Sequence, residues 1–417
     1  MNVLWITNIL FPEAEQLLTG AGELKDSGGW MLGAANALLQ NCEVRLNVAS
    51  VSKKVKQLTK IEGKWITYYI LPIGKGNKVV NLDYCSYWIQ VNDAVHPDVV
   101  HIHGTEYSHG YAYMKACGCD NVVISIQGLT SAYYYYYYYG MTKFDIYRSL
   151  TFRDIVRGSI LKGQKLFKQR AVYEIEMLKM AKYVIGRTSW DKARVWAINP
   201  NAKYHFCNET LRAEFYDGAE WKYEKCNKHS IFLSQAGYPI KGLHQVLKAM
   251  PLILRYYPDA KIRVAGADIT KSTSIVERLR LSGYGNYIKL LIKKYSLDDK
   301  IMFTGNLNAK QMKQEYLNTN VFVSSSSIEN SPNSLGEAQI LGTPCIASYV
   351  GGVPDMMKGN EENLYRFEEV SMLAAKICRI FANADKQIDM KTAAIQRHDP
   401  KMNSMQLLET YRMISKV

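Results

Sequence analysis

Two glutamates eight positions apart, Glu329 and Glu337, flank the polar string ENSPNSLGE. The β-branched, apolar segment 320–325 before them predicts a buried strand, and segment 335–341 predicts a helix closed by Gly342. In open α/β sheets such a strand-to-helix loop binds ligands, because the helix start offers free N–H groups and a positive dipole end. Phosphate oxygens would take the N–H groups, and sugar or ribose hydroxyls would take the carboxylates. The pattern favours a sugar nucleotide, with an ordinary turn whose glutamates face solvent as the alternative.

A lysine followed by glycine is the candidate cation for a diphosphate. Lys241 and Gly242 follow the segment 234–240, at the start of a helical run. A lysine at the carboxyl end of a strand would face the ligand cleft and stabilise the negative charge that grows on a departing diphosphate. Lys-Gly also begins many surface helices, so the prediction rests on its place in the strand–helix alternation.

A second glycine motif lies near the N-terminus. Gly28 and Gly29 end a long loop after the first predicted strand, just before the helical run 30–39. Without side chains the backbone can approach a phosphate closely, and the helix dipole favours the anion. The pair alone is a weak motif, and a plain loop is the alternative.

With the string GTP at 342–344 and the turn Gly351-Gly352, these features make the chain resemble the retaining family 4 glycosyltransferases of the GT-B fold, including those of capsule and exopolysaccharide assembly. The resemblance extends over nearly the whole chain and is most specific in the C-terminal half. It implies an α/β protein in which two Rossmann-like domains face each other across a cleft. A C-terminal helix would cross back to the first domain.

The resemblance also implies roles for individual residues. Lys241 and Glu329 would act in catalysis, and Glu337 would accept hydrogen bonds from the ribose hydroxyls. The nucleobase would lie against the backbone near residues 305–307. The further donor-binding residues are predicted to be Gly28, Gly29, Gly305, Asn306, Leu307, Asn330, Ser331, Asn333, Ser334 and Leu335.

The chain departs from the family pattern beside Lys241. The family carries an arginine a few residues earlier, whereas positions 235–238 here read QAGY. Arg212 is our candidate for the second phosphate-binding cation, with Arg187 and Arg194 behind it.

Acceptor-side residues are predicted at two strand ends. His103 ends the string DVVHIH and Gln127 ends VVISIQ. Many relatives carry a histidine near the Gln127 position, so this departure argues against a general base there. His103 has the alternative of a structural strand-end histidine. We expect same-face attack in which the leaving phosphate oxygen takes the acceptor's proton. No cofactor is expected, and no metal either, because no D-x-D motif lies at a strand end.

Composition limits the class of protein. The chain has 417 residues, 47% hydrophobic and 22% charged, which suits two folded domains. We predict a domain of residues 1–208 joined by helix 401–417, and a second domain of residues 209–400. No run of about eighteen apolar residues occurs, so a spanning helix is not predicted. Residues 1–9 lack the marks of a signal peptide, and the eight cysteines are scattered, so we expect a reducing cytoplasm.

The positive charge is uneven. The net charge is +14, and residues 143–194 hold thirteen Lys/Arg against five Asp/Glu. Apolar residues alternate with these charges at near-helical spacing. An amphipathic basic surface that docks on anionic lipid is one interpretation, and a solvated helical face is the other. Nucleic-acid binding is not predicted, because no aromatic-and-basic platform or groove-reading helix appears.

Short apolar segments alternate with helical ones in both halves, which predicts a parallel sheet in each. The run of seven tyrosines at 133–139 is assigned to a loop or helix start at a cleft or membrane edge, with plain aromatic packing as the alternative. The predicted strands are 3–6, 43–48, 98–102, 121–125, 183–186, 231–233, 261–265, 301–303, 321–323 and 344–347.

We therefore expect a cytoplasmic glycosyltransferase, peripheral on the inner face of the membrane. It would move a hexose or N-acetylhexosamine from a nucleotide diphosphate sugar, with UDP the expected nucleotide, to a lipid-linked or oligosaccharide acceptor. Surface polysaccharide assembly is the expected setting. The alternatives are a nucleotide-sugar-binding protein without turnover and a GT-B epimerase or phosphorylase.

Overall fold

A computed structural model describes residues 1–20, 29–40, 43–72, 85–382 and 390–416. The chain divides into two compact units. The first contains residues 1–132, 168–212 and 397–417, and the second contains residues 133–167 and 213–396. Each has its own sheet, helices and hydrophobic core.

The first unit contains an eight-stranded sheet in the order β3-β4-β2-β1-β5-β6-β7-β8. Its strands are β1 Asn2–Thr7, β2 Arg45–Ser52, β3 Thr59–Glu62, β4 Thr67–Pro72, β5 Val99–His103, β6 Val122–Ser125, β7 Tyr183–Gly186 and β8 Lys203–Phe206. Neighbouring strands are parallel except for the antiparallel pair β3–β4. Strands β4, β5, β6 and β7 are buried at every position, as expected for a parallel sheet covered on both faces.

The last helix, Pro400–Ile414, belongs to the first unit, as the resemblance implied. The Asp399 carboxylate caps it by accepting a hydrogen bond from the Met402 N–H at 2.7 Å. Its buried face meets the sheet, where the Trp5 indole donates to the Tyr411 hydroxyl at 2.9 Å. The α-helices that lie in or reach into this unit are Pro12–Thr19, Gly29–Leu39, Cys85–Val95, His109–Cys117, Thr130–Tyr133, Ser159–Met180, Ser189–Ile198 and Pro400–Ile414.

The second unit contains a six-stranded, fully parallel sheet in the order β11-β10-β9-β12-β13-β14. Its strands are β9 Asn227–Leu233, β10 Lys261–Val264, β11 Ile301–Phe303, β12 Thr319–Ser324, β13 Cys345–Ser348 and β14 Leu364–Tyr365. Its α-helices are Lys143–Arg148, Phe152–Arg157, Leu243–Ile253, Ile275–Arg280, Gly283–Lys294, Ala309–Asn318, Asn333–Ile340, Val353–Met356, Val370–Ala382 and Lys391–Arg397. Single 3-10 turns are Tyr134–Tyr136, Ala213–Tyr216, Tyr223–Lys225, Pro239–Lys241 and Glu361–Asn363.

In both sheets the strand order reverses at the first strand of the sheet. In the first, β1 has β2 on one side and β5 on the other, and in the second, β9 has β10 on one side and β12 on the other. The chain thus extends each sheet first on one side of its first strand and then on the other. Such a switch point opens a crevice beyond the carboxyl ends of the two central strands, where α/β proteins bind ligands.

The tyrosine run and the first part of the basic segment lie in the second unit, whereas the predicted division kept residues 1–208 together. The basic segment does not form one continuous helical face: three successive helices over residues 143–180 are followed by strand β7 and the start of helix Ser189–Ile198. Phe152–Arg157 ends at Gly158, whose φ of 64° stops the helix before Ser159–Met180 begins. Within the described part of the chain, no helix is both long and apolar enough to cross a bilayer.

Candidate functional site

The strand-end loops of β9 and β12 place Lys241 and Glu329 beside each other, at the switch point of the second sheet. Lys241 ends the single 3-10 turn Pro239–Lys241, which Gly242 closes with a φ of 70°. Glu329 lies in the loop between β12 and helix Asn333–Ile340. Eighty-eight residues separate the two side chains along the chain, and the parallel pairing of β9 with β12 brings them to one edge.

Hydrogen bonds join the two loops directly. The Ser325 hydroxyl donates to the Lys241 carbonyl at 2.9 Å, and the Ser327 N–H donates to the Ile240 carbonyl at 2.7 Å. A Cβ added to Gly242 would lie 1.7 Å from the Ser325 carbonyl oxygen. Only glycine fits this approach and this φ, which explains the Lys-Gly pair physically.

Lys241 and Glu329 form a buried ion pair. Lys241 Nζ lies 2.5 Å from Glu329 Oε1, and each side chain is only 12% exposed. The Ser326 hydroxyl donates to the same oxygen at 2.8 Å. Burial alone would lower the pKa of Lys241, but the carboxylate of Glu329 outweighs it and holds that pKa above its usual value. The site therefore contains a fixed ammonium group at neutral pH.

A small cavity of about 10 Å³ opens at this pair. Lys241, Glu329 and Ser334 line it together with the ends of β9 and β12. Ser334 lies in the first turn of helix Asn333–Ile340, which begins at the Pro332 cap with no side-chain hydrogen bond. Asn333 and Ser334 lie inside the helix, after its Pro332 cap. With no capping side chain in place, the helix start is suited to binding an anion.

Glu337 lies inside this helix and is only 4% exposed. The Tyr316 hydroxyl approaches Glu337 Oε2 at 3.5 Å, a long contact. Tyr316 itself packs edge-on against Phe322 of β12 and Phe232 of β9. The two predicted carboxylates thus occupy the two sides of one helix start, Glu329 before it and Glu337 within it.

The loop between them is rigidly held. Asn330 and Ser331 are buried, and Leu335 packs in the core below. The Gly352 N–H donates to the Glu329 carbonyl at 3.1 Å, and a Cβ on Gly351 would lie 1.9 Å from that oxygen. The Gly-Gly turn that the sequence singled out is thus a support for the Glu329 loop.

The residues predicted to meet the base lie two strands away at the same edge of the sheet. Gly305 follows β11 and pairs with Gly266, which follows β10, through N–H···O bonds of 3.2 and 2.8 Å. A Cβ built on either glycine meets nothing within 4 Å, so this pair faces open space. Asn306 is exposed and Leu307 packs against the core.

Two other predicted residues belong to the first unit, and a third is outside the described residues. Gly29 begins helix Gly29–Leu39 in the first unit, and Gly28 is outside the described residues. Arg212 ends a segment of the first unit. Their roles toward the donor stay predictions.

His103 and Gln127 line one cavity of the first unit, of about 50 Å³. His103 stacks on His101 with ring centroids 3.8 Å apart, and burial lowers its pKa to about 3. Gln127 donates to Glu209 at 2.5 Å, and Glu209 forms a 2.6 Å ion pair with Arg187. These residues bring an imidazole, an amide and an ion pair to the lining of one pocket.

Sequence reasoning missed several of these partners. Ser326 and Tyr316 contact the two glutamates, and Glu209 pairs with Arg187. Ser326 had a signal, because the serine run at 324–327 follows a strand predicted to point at the ligand. Tyr316 and Glu209 had none, since their partners are distant in sequence. Within the described residues, no three His, Cys, Asp or Glu side chains gather as metal ligands.

The part of the chain that carries this site matches the model of a known protein family. Residues 220–397, which carry Lys241, Glu329 and Glu337, match the family model described as Glycosyl transferases group 1. This region is similar to the group 1 glycosyl transferases. A curated relative, the uncharacterized glycosyltransferase MJ1607 of Methanocaldococcus jannaschii, is 28% identical over 131 residues. That match covers 31% of this chain and spans only 30% of the relative's length.

Solved structures resemble the whole chain. Sucrose-phosphate synthase from Thermosynechococcus elongatus superposes with a TM-score of 0.71 at 16% identity, covering 99% of this chain and 98% of that one. HepE from Anabaena, solved in complex with UDP, superposes with a TM-score of 0.60 at 13% identity, covering 99% and 100%. These likenesses confirm the GT-B architecture predicted from the sequence.

Proposed function

We propose that the chain is a retaining, metal-independent glycosyltransferase that uses a nucleotide diphosphate sugar, with UDP as the nucleotide. The observation that carries the proposal is the buried Lys241–Glu329 pair at the start of helix Asn333–Ile340. The family match of residues 220–397 and the UDP named for the HepE structure support it.

The chemistry follows from these groups. The acceptor hydroxyl attacks the anomeric carbon on the face that the diphosphate leaves, and the bond from that carbon to the phosphate oxygen breaks. The proton of the hydroxyl passes to the leaving phosphate oxygen, so the products are the glycoside and UDP. Lys241 and the N–H groups of the helix start stabilise the charge on the departing diphosphate.

Glu329 and Glu337 hold the donor rather than react with it. Glu329 accepts hydrogen bonds from sugar hydroxyls while it keeps Lys241 charged and in place. Glu337, buried one turn into the helix, accepts from the ribose hydroxyls. The open pair Gly305 and Gly266 leaves room for the base against backbone. Fixed groups of this kind need no reorganisation during the reaction.

For the acceptor we propose a lipid-linked glycan in surface polysaccharide assembly, a hexose or N-acetylhexosamine being transferred. The enzyme would work in the cytoplasm, bound peripherally to the inner face of the membrane. The pocket that His103 and Gln127 line in the first unit is the candidate contact for the acceptor, and Arg212 is the candidate second cation.

The test is a panel of radiolabelled sugar nucleotides, incubated with and without a polyprenyl-linked acceptor. We expect one UDP-sugar to give a labelled lipid product with retained anomeric configuration by NMR, and chelator to leave the rate unchanged. A donor that binds by calorimetry but gives neither product nor hydrolysis would favour a binding protein. An inverted product, or loss of rate with chelator, would contradict the retaining or metal-free part.

A further inference from the structure

Three short helices of the second unit turn large apolar side chains to solvent. They are Lys143–Arg148, Phe152–Arg157 and Ile275–Arg280. On each helix the apolar residues are spaced by one, three or four positions, so they share a face. Ile155 is 79% exposed and Ile275 is 76% exposed, which is unusual for isoleucine. The exposed residues are Phe144, Tyr147, Phe152, Ile155, Val156, Ile275, Val276 and Leu279.

These helices adjoin although they are distant in sequence. Helix Ile275–Arg280 contacts helix Phe152–Arg157. The Arg153 guanidinium donates to the Arg280 carbonyl at 2.7 Å, and the Thr151 hydroxyl donates to the Leu281 carbonyl at 2.7 Å. Helix Lys143–Arg148 instead contacts helix Gly283–Lys294, whose Asn286 amide donates to the Ser149 carbonyl at 3.1 Å. We group the exposed apolar side chains of these neighbouring helices as one candidate surface, which we call the docking face.

Cations surround the docking face, while its acidic groups serve as helix caps. Asp145, Asp154 and Glu277 each accept hydrogen bonds from the backbone at the start of their own helix. Asp154 also accepts from the Ile160 N–H and is buried. The carboxylates are thus directed to the backbone. The basic residues of the three helices are Lys143, Arg148, Arg153, Arg157, Arg278 and Arg280.

A cavity of about 530 Å³ opens beside the docking face. Arg153, Lys271 and Arg280 contribute three cations to its lining, against the carboxylates of Asp268 and Glu277. A pocket with excess positive charge next to an apolar face suits a lipid, whose phosphate needs cations and whose chains need apolar contact.

We propose that the docking face binds the surface of an anionic membrane, with Ile155 and Ile275 entering the boundary between headgroups and chains. This proposal rests on the membrane association in the proposed function and specifies its surface. The residues in contact with the membrane differ from the basic segment 143–194 that the sequence suggested. Residues 168–194 of the basic segment lie in the first unit, and helix Ile275–Arg280, which lies outside that segment, joins the contact instead. The cations select the lipid charge, and the apolar residues hold the protein there.

The test is sedimentation of the full chain with vesicles of phosphatidylcholine alone and of phosphatidylcholine mixed with phosphatidylglycerol. We expect binding to the mixed vesicles only, weakened by salt. Ile155→Glu and Ile275→Glu should each lower the partition about tenfold or more, since burial of one such side chain accounts for that factor. Tyr256→Glu is the matched control, because Tyr256 is 77% exposed but precedes β10, whereas Ile275 follows it.

The outcomes separate the possible occupants. The proposal would be overturned if Tyr256→Glu lowered the vesicle partition as much as the isoleucine variants do. It would also be overturned if the chain bound both kinds of vesicle equally or bound neither. A dimer of the unaltered chain that Ile155→Glu converts to monomer in ultracentrifugation would assign the face to a second copy instead. Lys241→Ala should sediment like the unaltered chain, so loss of sugar transfer and loss of docking are told apart.

Discussion

At the scale of residues, the site depends on a buried ion pair. Lys241 and Glu329 are each mostly buried and 2.5 Å apart, so each makes the burial of the other tolerable. The pair therefore serves two purposes that experiments can separate. It keeps the two loops together, and in the proposed function it presents an ammonium group to a diphosphate.

We expect Lys241→Ala to lower turnover by about 10²–10³-fold, because it removes a charge aimed at the leaving group. Steady-state rates with the best donor of the panel test this, with folding checked by circular dichroism. Lys310→Ala, an exposed lysine on helix Ala309–Asn318, should match the unaltered chain. Full turnover of Lys241→Ala would remove this residue from the reaction.

Gly242→Ala should weaken donor binding although it changes no polar group. Its φ of 70° and the 1.7 Å approach to the Ser325 carbonyl leave no room for a methyl group, so the turn that carries Lys241 must move. We expect a loss of at least about 2 kcal/mol in unfolding free energy. We also expect a larger dissociation constant for UDP, measured by calorimetry. Gly237→Ala is the control, since a Cβ there meets nothing. If both variants behave alike, the close approach has no role.

At the scale of elements, the helices before Ser159–Met180 depend on their caps. Two capping boxes of the same type follow each other, Thr142 with Asp145 and Thr151 with Asp154. The first is exposed, whereas Asp154 is buried and also accepts from the Ile160 N–H at 2.9 Å. One carboxylate therefore joins two helices.

Asp154→Ala should lower the unfolding free energy by about 2 kcal/mol or more, because it removes a cap and leaves the buried Ile160 N–H without its acceptor. Asp145→Ala should cost about 1 kcal/mol or less at its exposed cap. Urea unfolding of both variants measures the difference. An equal cost for the two would mean that the junction between the helices contributes nothing.

The elements also show what sequence patterns reveal. Strands β9 and β12 were predicted because they are short apolar runs in a buried parallel sheet. Strands β3 and β8 were missed, since they lie at the edges of their sheet and half of their positions face solvent. The two-residue edge strand β14 was missed as well, and so was β4, although every position of β4 is buried. Edge strands carry polar residues and give no continuous apolar signal.

The candidate site residues were likewise predicted only where a local sequence pattern pointed to them. Lys241, Glu329 and Glu337 were found because each follows a recognisable strand or begins a helix. That Lys241 pairs with Glu329, however, depends on which strands are neighbours, and strand order is not written in local patterns. The same holds for the tyrosine run. Its Tyr136 carbonyl accepts from Ser327, two residues before Glu329, a contact that joins positions 191 apart.

At the scale of the whole molecule, the two units repeat one architecture but differ in their buried titratable groups. His101, His103 and His398 are buried in the first unit, whereas His244 is buried in the second. Burial lowers the pKa of His103 to about 3, of His398 to about 4 and of His244 to about 3, and that of His101 falls well below its usual value. Such histidines stabilise the fold above an unfolded pKa of about 6.5, and that contribution is lost as the pH falls toward the folded value.

The first unit should therefore lose stability in acid more readily than the second, and its loss of stability should have two stages. Burial raises the pKa of Glu106 to about 7 and that of Glu174 above its usual value, and both favour folding as the pH falls to about 4.5. These carboxyls offset part of the histidine loss down to that pH, below which the unopposed histidines remove stability more steeply. Hydrogen exchange across a pH series should show peptides of the first unit opening before those of the second. His103→Gln should flatten the acid slope by up to about 1.4 kcal/mol per pH unit, and simultaneous opening of both units with an unchanged slope would contradict this assignment.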